Sequence, residues 1–213
     1  REYRGLGTKS FQVISSQFSL HYYFKDESTL RGFLQNLQDN CTKGGYFIGT
    51  CYDGMKVFQT LQDTQMIDMK DEYGKLVYSI TKNYEIDSFT YSPDMIDMMF
   101  GQEIEVYMNS IGQTITEYLV NFEMFIELMK EYGFSLTNPQ LKGKQSGIFD
   151  QKDFTYQPGM GGFDQIISKL SNLSSKDPSI KKYHSDALQI LSKENGLLRK
   201  LSSLNNWFVF QKD

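Results

Sequence analysis

The sequence predicts an α/β fold, and three observations indicate it. Phe11–Phe18 holds a short β-prone run that breaks into polar residues, which is typical of a buried strand ending at a polar edge. A helical pattern follows, and a second apolar segment, Tyr46–Cys51, comes after it. Strand, helix and strand within about 40 residues indicate a right-handed βαβ unit with parallel strands.

The helix between the two strands is predicted from one apolar stripe. Its apolar residues recur at i, i+3, i+4 and i+7: Leu30, Phe33, Leu34 and Leu37. We expect the helix to be capped near Ser28 and to end at the Gly44-Gly45 pair, because glycine commonly follows the last helical turn. The first predicted region is therefore a βαβ core over residues 1–55.

Beyond this core, the pattern changes from helical to alternating. A short helix is predicted near Met55–Leu61, before the segments Lys75–Tyr84 and Gln102–Asn109. Polar and apolar residues alternate in both segments, as they do in half-exposed antiparallel strands. We interpret residues 56–120 as an insertion with its own small sheet.

Residues 121–213 are predicted to contain helices and the final strands. Phenylalanine and other apolar residues share one face of a helix over Asn121–Tyr132, which Gly133 ends. The other predicted elements are a strand at Ser135-Leu136, a loop over 138–162, a helix over Phe163–Leu170, a polar linker over Asn172–Tyr183, a helix near Ser185–Lys200 and a strand at Trp207–Phe210.

Composition excludes several classes of protein. No run of about 18 apolar residues occurs, so no membrane span is expected. The two cysteines, Cys41 and Cys51, suffice for neither a disulfide framework nor a zinc site, and no metal is expected. The formal charge of −4 argues against a broad phosphate-neutralising surface. A nucleic acid would therefore have to be recognised in a small pocket.

Polar and aromatic residues follow both parallel strands, at the edge where open α/β sheets bind ligands. His21 and Tyr22 follow the first strand, and Tyr52 and Asp53 follow the second. The sequence pattern alone is equally consistent with a binding role and with a core-packing role for His21 and Tyr22. Most of the 16 Phe and 14 Tyr residues are expected in the core, while a few could stack on a base. No nucleophile elbow or phosphate-binding glycine loop is present.

Five segments in order resemble mRNA cap guanine-N7 methyltransferases. These are QFSLHYYF at 17–24, GGYFIGTCYDG at 44–54, SIG at 110–112, TEYLVNF at 116–122 and LNNWFVF at 204–210. The Cys-Tyr-Asp-Gly and Ser-Ile-Gly motifs are most similar to those in the capping enzymes of nucleocytoplasmic large DNA viruses. Several motifs at compatible spacing over most of the chain are more specific than any single motif.

This resemblance implies the C-terminal part of a class I, Rossmann-like S-adenosylmethionine-dependent methyltransferase fold, with a small antiparallel insertion. In that fold a glycine-rich loop and an acidic residue in the N-terminal half hold the cofactor. Only Arg1–Ser10 precede the first predicted strand. We therefore expect the cofactor-binding half, roughly a hundred residues, to come from a longer polypeptide or from a companion capping-enzyme chain.

The resemblance also implies the residues of the site. Five residues would line the pocket for the cap guanine: Phe18, His21, Tyr22, Tyr52 and Glu117. Glu117 would read the guanine edge, because a carboxylate accepts from N1–H and the exocyclic amine together. Gln17 would contact S-adenosylmethionine. Two positions differ from many cellular members, which have a proline at Tyr52 and a tyrosine at Asn205.

The implied reaction transfers a methyl group from S-adenosylmethionine to N7 of the guanine that caps RNA, in the host cytoplasm or in a virion. N7 carries a free lone pair and loses no proton, so we expect proximity and orientation to act without a catalytic side chain. We expect this chain to be inactive alone. The alternatives are a non-catalytic, methyltransferase-like stimulatory subunit of a viral capping enzyme, and an interaction domain that docks through Met95–Phe100.

Overall fold

A computed structural model of the chain describes residues 10–137, 159–171, 178–192 and 196–213. These residues belong to two compact units, and each is described by itself. The first unit runs to Ser135 and includes Phe210–Asp213, and the second is Leu136–Val209. None of the helices in the described ranges is long and apolar enough to cross a membrane.

The first unit begins with the predicted βαβ arrangement. It consists of β1 (Phe11–Gln17), α1 (Glu27–Asn40) and β2 (Cys41–Tyr52). β1 and β2 pair in parallel, with Gln17 opposite Thr50 near their carboxyl ends. The prediction of two parallel strands joined by a helix is therefore confirmed, and both strands end at the same edge.

The ends of α1 differ from the prediction. Asp26 is the N-cap instead of Ser28, because its carboxylate accepts a hydrogen bond from the backbone N–H of Thr29 at 2.8 Å. The Gly44-Gly45 pair does not end the helix. The chain passes from α1 directly into β2, and both glycines lie inside that strand.

Aromatic side chains form much of the core in the first unit, as their number in the sequence led us to expect. Phe125 lies at the centre, with ring centroids 5.9 Å from Phe24, 6.3 Å from Phe122 and 5.6 Å from Phe210. Large rings bury about 150–250 Å² each, so such a cluster contributes a large part of the hydrophobic stabilisation.

Residues after β2 form α2 (Gly54–Thr60) and a separate antiparallel sheet. Its strands are β3 (Met66–Lys70), β4 (Leu76–Lys82), β5 (Glu103–Met108) and β6 (Gln113–Tyr118), in that spatial order. We call this the insertion sheet. The predicted small sheet is present, and β4 and β5 correspond to the two alternating segments. β3 and β6 were not predicted, because β3 has only five residues and β6 is mostly polar.

The first unit continues with α3 (Phe122–Glu131) and β7 (Phe134–Leu136). Asn121 caps α3, since its Oδ1 accepts a hydrogen bond from the backbone N–H of Met124 at 3.0 Å. The sheet that contains β1 runs from β1 to β2, then to the last strand of the chain, and then to β7. The predictions of the α3 helix and of both strands are confirmed.

The second unit contains β8, three helices and most of the last strand. Its elements are β8 (Met160–Gly162), α4 (Phe163–Ser171), α5 (Pro178–Leu191), α6 (Gly196–Ser203) and β9 (Asn205–Lys212), whose last residues belong to the first unit. β8 pairs with β9 in antiparallel fashion. Gly159 has a φ of 89°, which favours glycine.

One prediction in this unit, the single long helix, is wrong, and the linker and loop predictions are wrong in part. The linker predicted over residues 172–183 is wrong over 178–183, which belong to α5, because Pro178 is well suited to the first turn of a helix; residues 172–177 lie outside the described residues. The single helix predicted over residues 185–200 corresponds to parts of α5 and α6. The loop predicted over residues 138–162 ends in the short strand β8, and residues 138–158 lie outside the described residues.

Gly54 lies where the chain after β2 meets the chain after β6. Its backbone N–H donates a hydrogen bond to the carbonyl of Val120 at 3.0 Å. A Cβ at position 54 would lie 2.5 Å from the carbonyl oxygen of Val120 and 2.6 Å from its nitrogen. These are backbone atoms, so a side chain at position 54 would force the two segments apart.

We predict that Gly54→Ala lowers the free energy of unfolding by about 1–3 kcal/mol, the usual range for overpacking. Gly32→Ala is the matched control, because Gly32 lies inside α1 and its added Cβ meets nothing within 4 Å. We expect Gly32→Ala to stabilise by about 0.5–1 kcal/mol. Urea unfolding followed by circular dichroism measures both, and equal effects would contradict the prediction.

Candidate functional site

Two buried polar side chains, His21 and Glu117, meet at the centre of the candidate site. Nε2 of His21 lies 3.6 Å from Oε1 of Glu117, and the two residues are 3% and 4% exposed. Burial lowers the pKa of His21 to about 4 and raises the pKa of Glu117 to about 7. Since both groups are neutral between those values, their contact is not an ion pair.

The chain after β1 places His21 at the carboxyl edge of the sheet. Phe18 has a φ of 50°, which is unusual for a residue with a side chain, and its backbone N–H donates to the carbonyl of Thr50 at 2.8 Å. The chain then turns into a 3-10 helix over Leu20–Lys25, which contains His21. Nδ1 of His21 lies 3.9 Å from Sγ of Cys51 in β2. The imidazole is therefore held between β2 and Glu117.

Glu117 lies on the buried face of the insertion sheet. It pairs with Ile104 of β5, and the same face carries Tyr78, Ile80 and Val106. Among the residues that the structure describes, Glu117 is the only buried carboxylate, and its Oε2 accepts no hydrogen bond from any of them. Burying such a group without a donor is costly, which favours a functional role over a structural one.

Tyr22 places an accessible aromatic ring beside this pair. Its ring packs edge-on against His21, with centroids 4.2 Å apart and planes at 62°. Tyr22 is 44% exposed and Phe18 is 52% exposed, so both rings can be reached from outside. Burial and the charge of Glu117 raise the pKa of Tyr22. An exposed ring next to a buried acceptor suits a flat heterocycle that carries donors on its edge.

Tyr52 and Gln17 complete the set of residues that the sequence singled out. The hydroxyl oxygens of Tyr52 and Tyr78 lie 2.5 Å apart, so Tyr52 is tied to the insertion sheet. The Gln17 side chain accepts a hydrogen bond from Oγ1 of Thr50 at 2.7 Å, and donates one to Oγ of Ser15 at 2.9 Å. Gln17 is therefore anchored at the end of β1.

The structure brings His21, Tyr22 and Glu117 together, as we expected, and gives Tyr52 a partner that we did not predict. Sequence reasoning missed Cys51 and Tyr78. The register of β4 against β5 puts Tyr78 on the face of Glu117, but that register cannot be read from the sequence.

Asn205 lies in the second unit, where its side chain donates to the carbonyl of Leu201 at 3.0 Å. The described part of the chain contains no cluster of three or more potential metal ligands.

Comparison with known proteins gives a family match. Residues 5–157 match the family model described as mRNA (guanine-N(7))-methyltransferase domain. The mRNA cap guanine-N(7) methyltransferase of Aspergillus niger is 25% identical over 179 residues, which cover 83% of this chain and 28% of that protein. A protein of Acanthamoeba polyphaga mimivirus named "Probable mRNA-capping enzyme" is 27% identical over 225 residues, or 95% of this chain and 17% of that protein.

Among solved structures, the CcbJ methyltransferase of Streptomyces caelestis is 10% identical, with a TM-score of 0.44, and the match covers 97% of this chain and 59% of that one. The chain spans less than a third of the length of the two curated relatives, 28% and 17% respectively. The chain thus corresponds to a portion of those proteins.

We predict that Glu117→Gln stabilises the fold at pH 8. The folded-state pKa of Glu117, about 7, lies above the ordinary 4.5, so the folded protein holds this proton more tightly than the unfolded chain does. The stabilisation from that proton is therefore lost as pH rises from about 4.5 through 7, and it amounts to on the order of 3 kcal/mol. Glutamine stays neutral and avoids that loss.

Urea unfolding at pH 5 and pH 8 measures this effect. The gain from Glu117→Gln should be close to its full value at pH 8 and fall below about 1 kcal/mol at pH 5, because the folded protein keeps Glu117 protonated there and pH 5 lies only about half a unit above the ordinary pKa. Glu105→Gln is the control, because Glu105 lies on the opposite face of the neighbouring strand β5, and we expect it to change stability by less than about 0.5 kcal/mol. An equal gain at both pH values would contradict the prediction.

Proposed function

The chain belongs to the mRNA (guanine-N(7))-methyltransferase domain family, and we propose that it holds the cap guanine of RNA for methyl transfer from S-adenosylmethionine to N7. The family that the sequence resembled is thereby confirmed, and the parallel β1–β2 pair agrees with the fold class that this resemblance implied. One observation carries the proposal: a buried carboxylate, with an oxygen that accepts no hydrogen bond from any described residue, lies beside an exposed aromatic ring.

Glu117 is proposed to read the Watson–Crick edge of guanine. When ionised, its two oxygens accept hydrogen bonds from N1–H and from the exocyclic amine. Adenine offers no such pair of donors, so this contact favours guanine by about 1–3 kcal/mol. Oε2 is buried without a donor and the neighbouring His21 is neutral, so none of the described side chains neutralises this carboxylate in place of a ligand.

Tyr22 and Phe18 are proposed to stack on the guanine ring, with His21 and Tyr52 lining the pocket. Their exposed rings are sequence-independent stacking surfaces, worth roughly 1–3 kcal/mol per base. A ring face also attracts the cationic 7-methylguanine that the reaction forms. Glu117 therefore supplies specificity, while the aromatic residues supply affinity for both substrate and product.

The proposed chemistry needs no general base. S-adenosylmethionine supplies the methyl group as a sulfonium, and the sulfur keeps the electron pair of the broken bond. The side chains of this site hold the guanine so that the lone pair of N7 points along the bond that breaks. Gln17, an amide fixed at the end of β1, is proposed to contact the cofactor, and its hydrogen bonds to Thr50 and Ser15 would fix its direction.

We propose that the cofactor-binding half of the site comes from another segment, either of the same polypeptide or of a companion chain, that pairs along β1. Among the described strands, β1 has a neighbour on one edge alone. Phe11 and Val13 are 45% and 52% exposed there, and an apolar groove of about 500 Å³ lies between β1 and α1. An uncovered apolar edge strand invites pairing with a further strand.

Methyl transfer to capped RNA tests both proposals. We expect no activity from this chain alone, and activity when the segment that completes the sheet is present. Glu117→Ala should abolish that activity, whereas Glu105→Ala should leave it within twofold, because Glu105 lies on the other face of the insertion sheet. Unchanged turnover in Glu117→Ala would favour the alternative, a stimulatory subunit that raises the activity of a partner.

Binding of the unmethylated cap dinucleotide GpppG should depend on pH. The ionised carboxylate accepts both guanine donors, so affinity should rise as pH increases through about 7, the pKa of Glu117. From the ionised fractions we expect binding to be about tenfold weaker at pH 6 than at pH 8. Glu117→Gln should weaken binding and remove this dependence, and a pH-dependence that persists in Glu117→Gln would exclude Glu117 as its source.

The proposed partners are capped RNA and the segment that completes the sheet. The likeness to the mimivirus protein supports an action in the host cytoplasm or in a virion, as we expected from the sequence. The net charge of −4 supports recognition of one capped guanine in a pocket instead of extended binding along RNA.

A further inference from the structure

Tyr78 belongs to no segment that carried the family resemblance, yet its hydroxyl contacts the last residue of β2. Its hydroxyl oxygen lies 2.5 Å from that of Tyr52, at the short end of the range for O–H···O hydrogen bonds. Tyr52 is the last residue of β2, and Tyr78 lies in β4 with 4% exposure. The bond therefore joins the carboxyl end of the parallel sheet to the buried face of the insertion sheet.

Two consecutive residues of β2 make separate links to the insertion sheet. Cys51 contacts His21, which contacts Glu117 in β6. Tyr52 bonds to Tyr78 in β4, two strands away from β6. A sheet attached at one point can pivot about it, whereas attachment at two separated strands fixes its orientation.

The tyrosine pair stays neutral over the physiological pH range. Burial raises the pKa of Tyr52 to about 12 and raises the pKa of Tyr78 further, so neither hydroxyl ionises. The charge of Glu117 raises the pKa of both tyrosines as well, which places their hydroxyls within the field of that carboxylate. The hydrogen bond is thus available throughout the physiological pH range, including the part above about 7 in which Glu117 is ionised.

We propose that the Tyr52–Tyr78 hydrogen bond positions Glu117 for guanine recognition by fixing the insertion sheet against the end of β2. The proposal rests on the proposed function and adds Tyr78 to the site as a positioning residue that does not contact guanine. Its consequence is that the hydroxyl of Tyr78 contributes to cap affinity through the placement of Glu117. Small displacements of a positioning group can reduce rates and affinities strongly.

Tyr78→Phe tests the proposal in the polypeptide or complex that shows methyl transfer. We expect the KM for capped RNA to rise about tenfold, with kcat and the KM for S-adenosylmethionine within twofold, because one hydrogen bond that orients Glu117 is lost. Loss of folded protein would instead lower kcat and leave KM unchanged. An unchanged KM for capped RNA, whether or not kcat falls, would overturn the proposal.

Tyr84→Phe is the matched control. Tyr84 is 7% exposed and its ring stacks on Phe58, but its hydroxyl has no hydrogen-bond partner among the described residues. Removing that hydroxyl should leave all kinetic constants within twofold. If Tyr78→Phe leaves the kinetic constants within twofold, as Tyr84→Phe should, while the wild-type protein binds the cap, then the positioning role of Tyr78 is wrong and the proposed function stands.

A double-mutant cycle separates the tyrosine bond from other roles of Tyr52. If the two hydroxyls act through their mutual bond, Tyr52→Phe with Tyr78→Phe should raise the KM for capped RNA no more than Tyr52→Phe does alone. If the rise in KM for the double mutant equals the product of the rises for the two single mutants, the two hydroxyls act independently, and the proposal is overturned. Failure of the wild-type protein to bind GpppG would overturn the proposed function and this inference together.

Discussion

A carboxylate buried on an apolar sheet face is the feature on which the rest of this structure depends. Glu117 is 4% exposed, and Oε2 has no donor among the residues that the structure describes. Burial raises its pKa to about 7, so at higher pH the fold holds a charge that it does not neutralise. A ligand that brings two donors to this carboxylate compensates for its burial, and guanine carries such a pair on one edge.

Two features of the backbone place the chain segments that follow β1 and β2 near that carboxylate. Gly54 allows the chain after β2 to approach Val120 within hydrogen-bond distance, close to Glu117 in sequence. The left-handed backbone at Phe18 turns the chain from β1 toward His21. A left-handed residue and a buried carboxylate thus occur near the same edge of the sheet, which agrees with the proposed site, because strain and buried polar groups often accompany binding sites. The aromatic core around Phe125 supplies stability elsewhere in this unit.

Elements with strong periodicity could be predicted from the sequence, and elements defined by long-range contacts could not. The stripe of α1 and the apolar runs of β1 and β2 follow directly from local pattern. β6 was missed because Glu117 occupies a buried position in which an apolar residue would be expected, so the alternating pattern of a strand is broken there. α5 was taken for a linker because its first turns are polar. The site residues came from the family resemblance, and Tyr78 required the register of β4, which only the fold reveals.

The most direct test of this account is the titration of the Glu117 side-chain carboxyl by 13C NMR, with and without GpppG. In the free protein the midpoint should lie at about 7, because burial disfavours the ionised form. Bound guanine should lower the midpoint by at least about one pH unit, since its donors favour the carboxylate. A midpoint that GpppG leaves unchanged would contradict the assignment of Glu117 as the group that reads the cap.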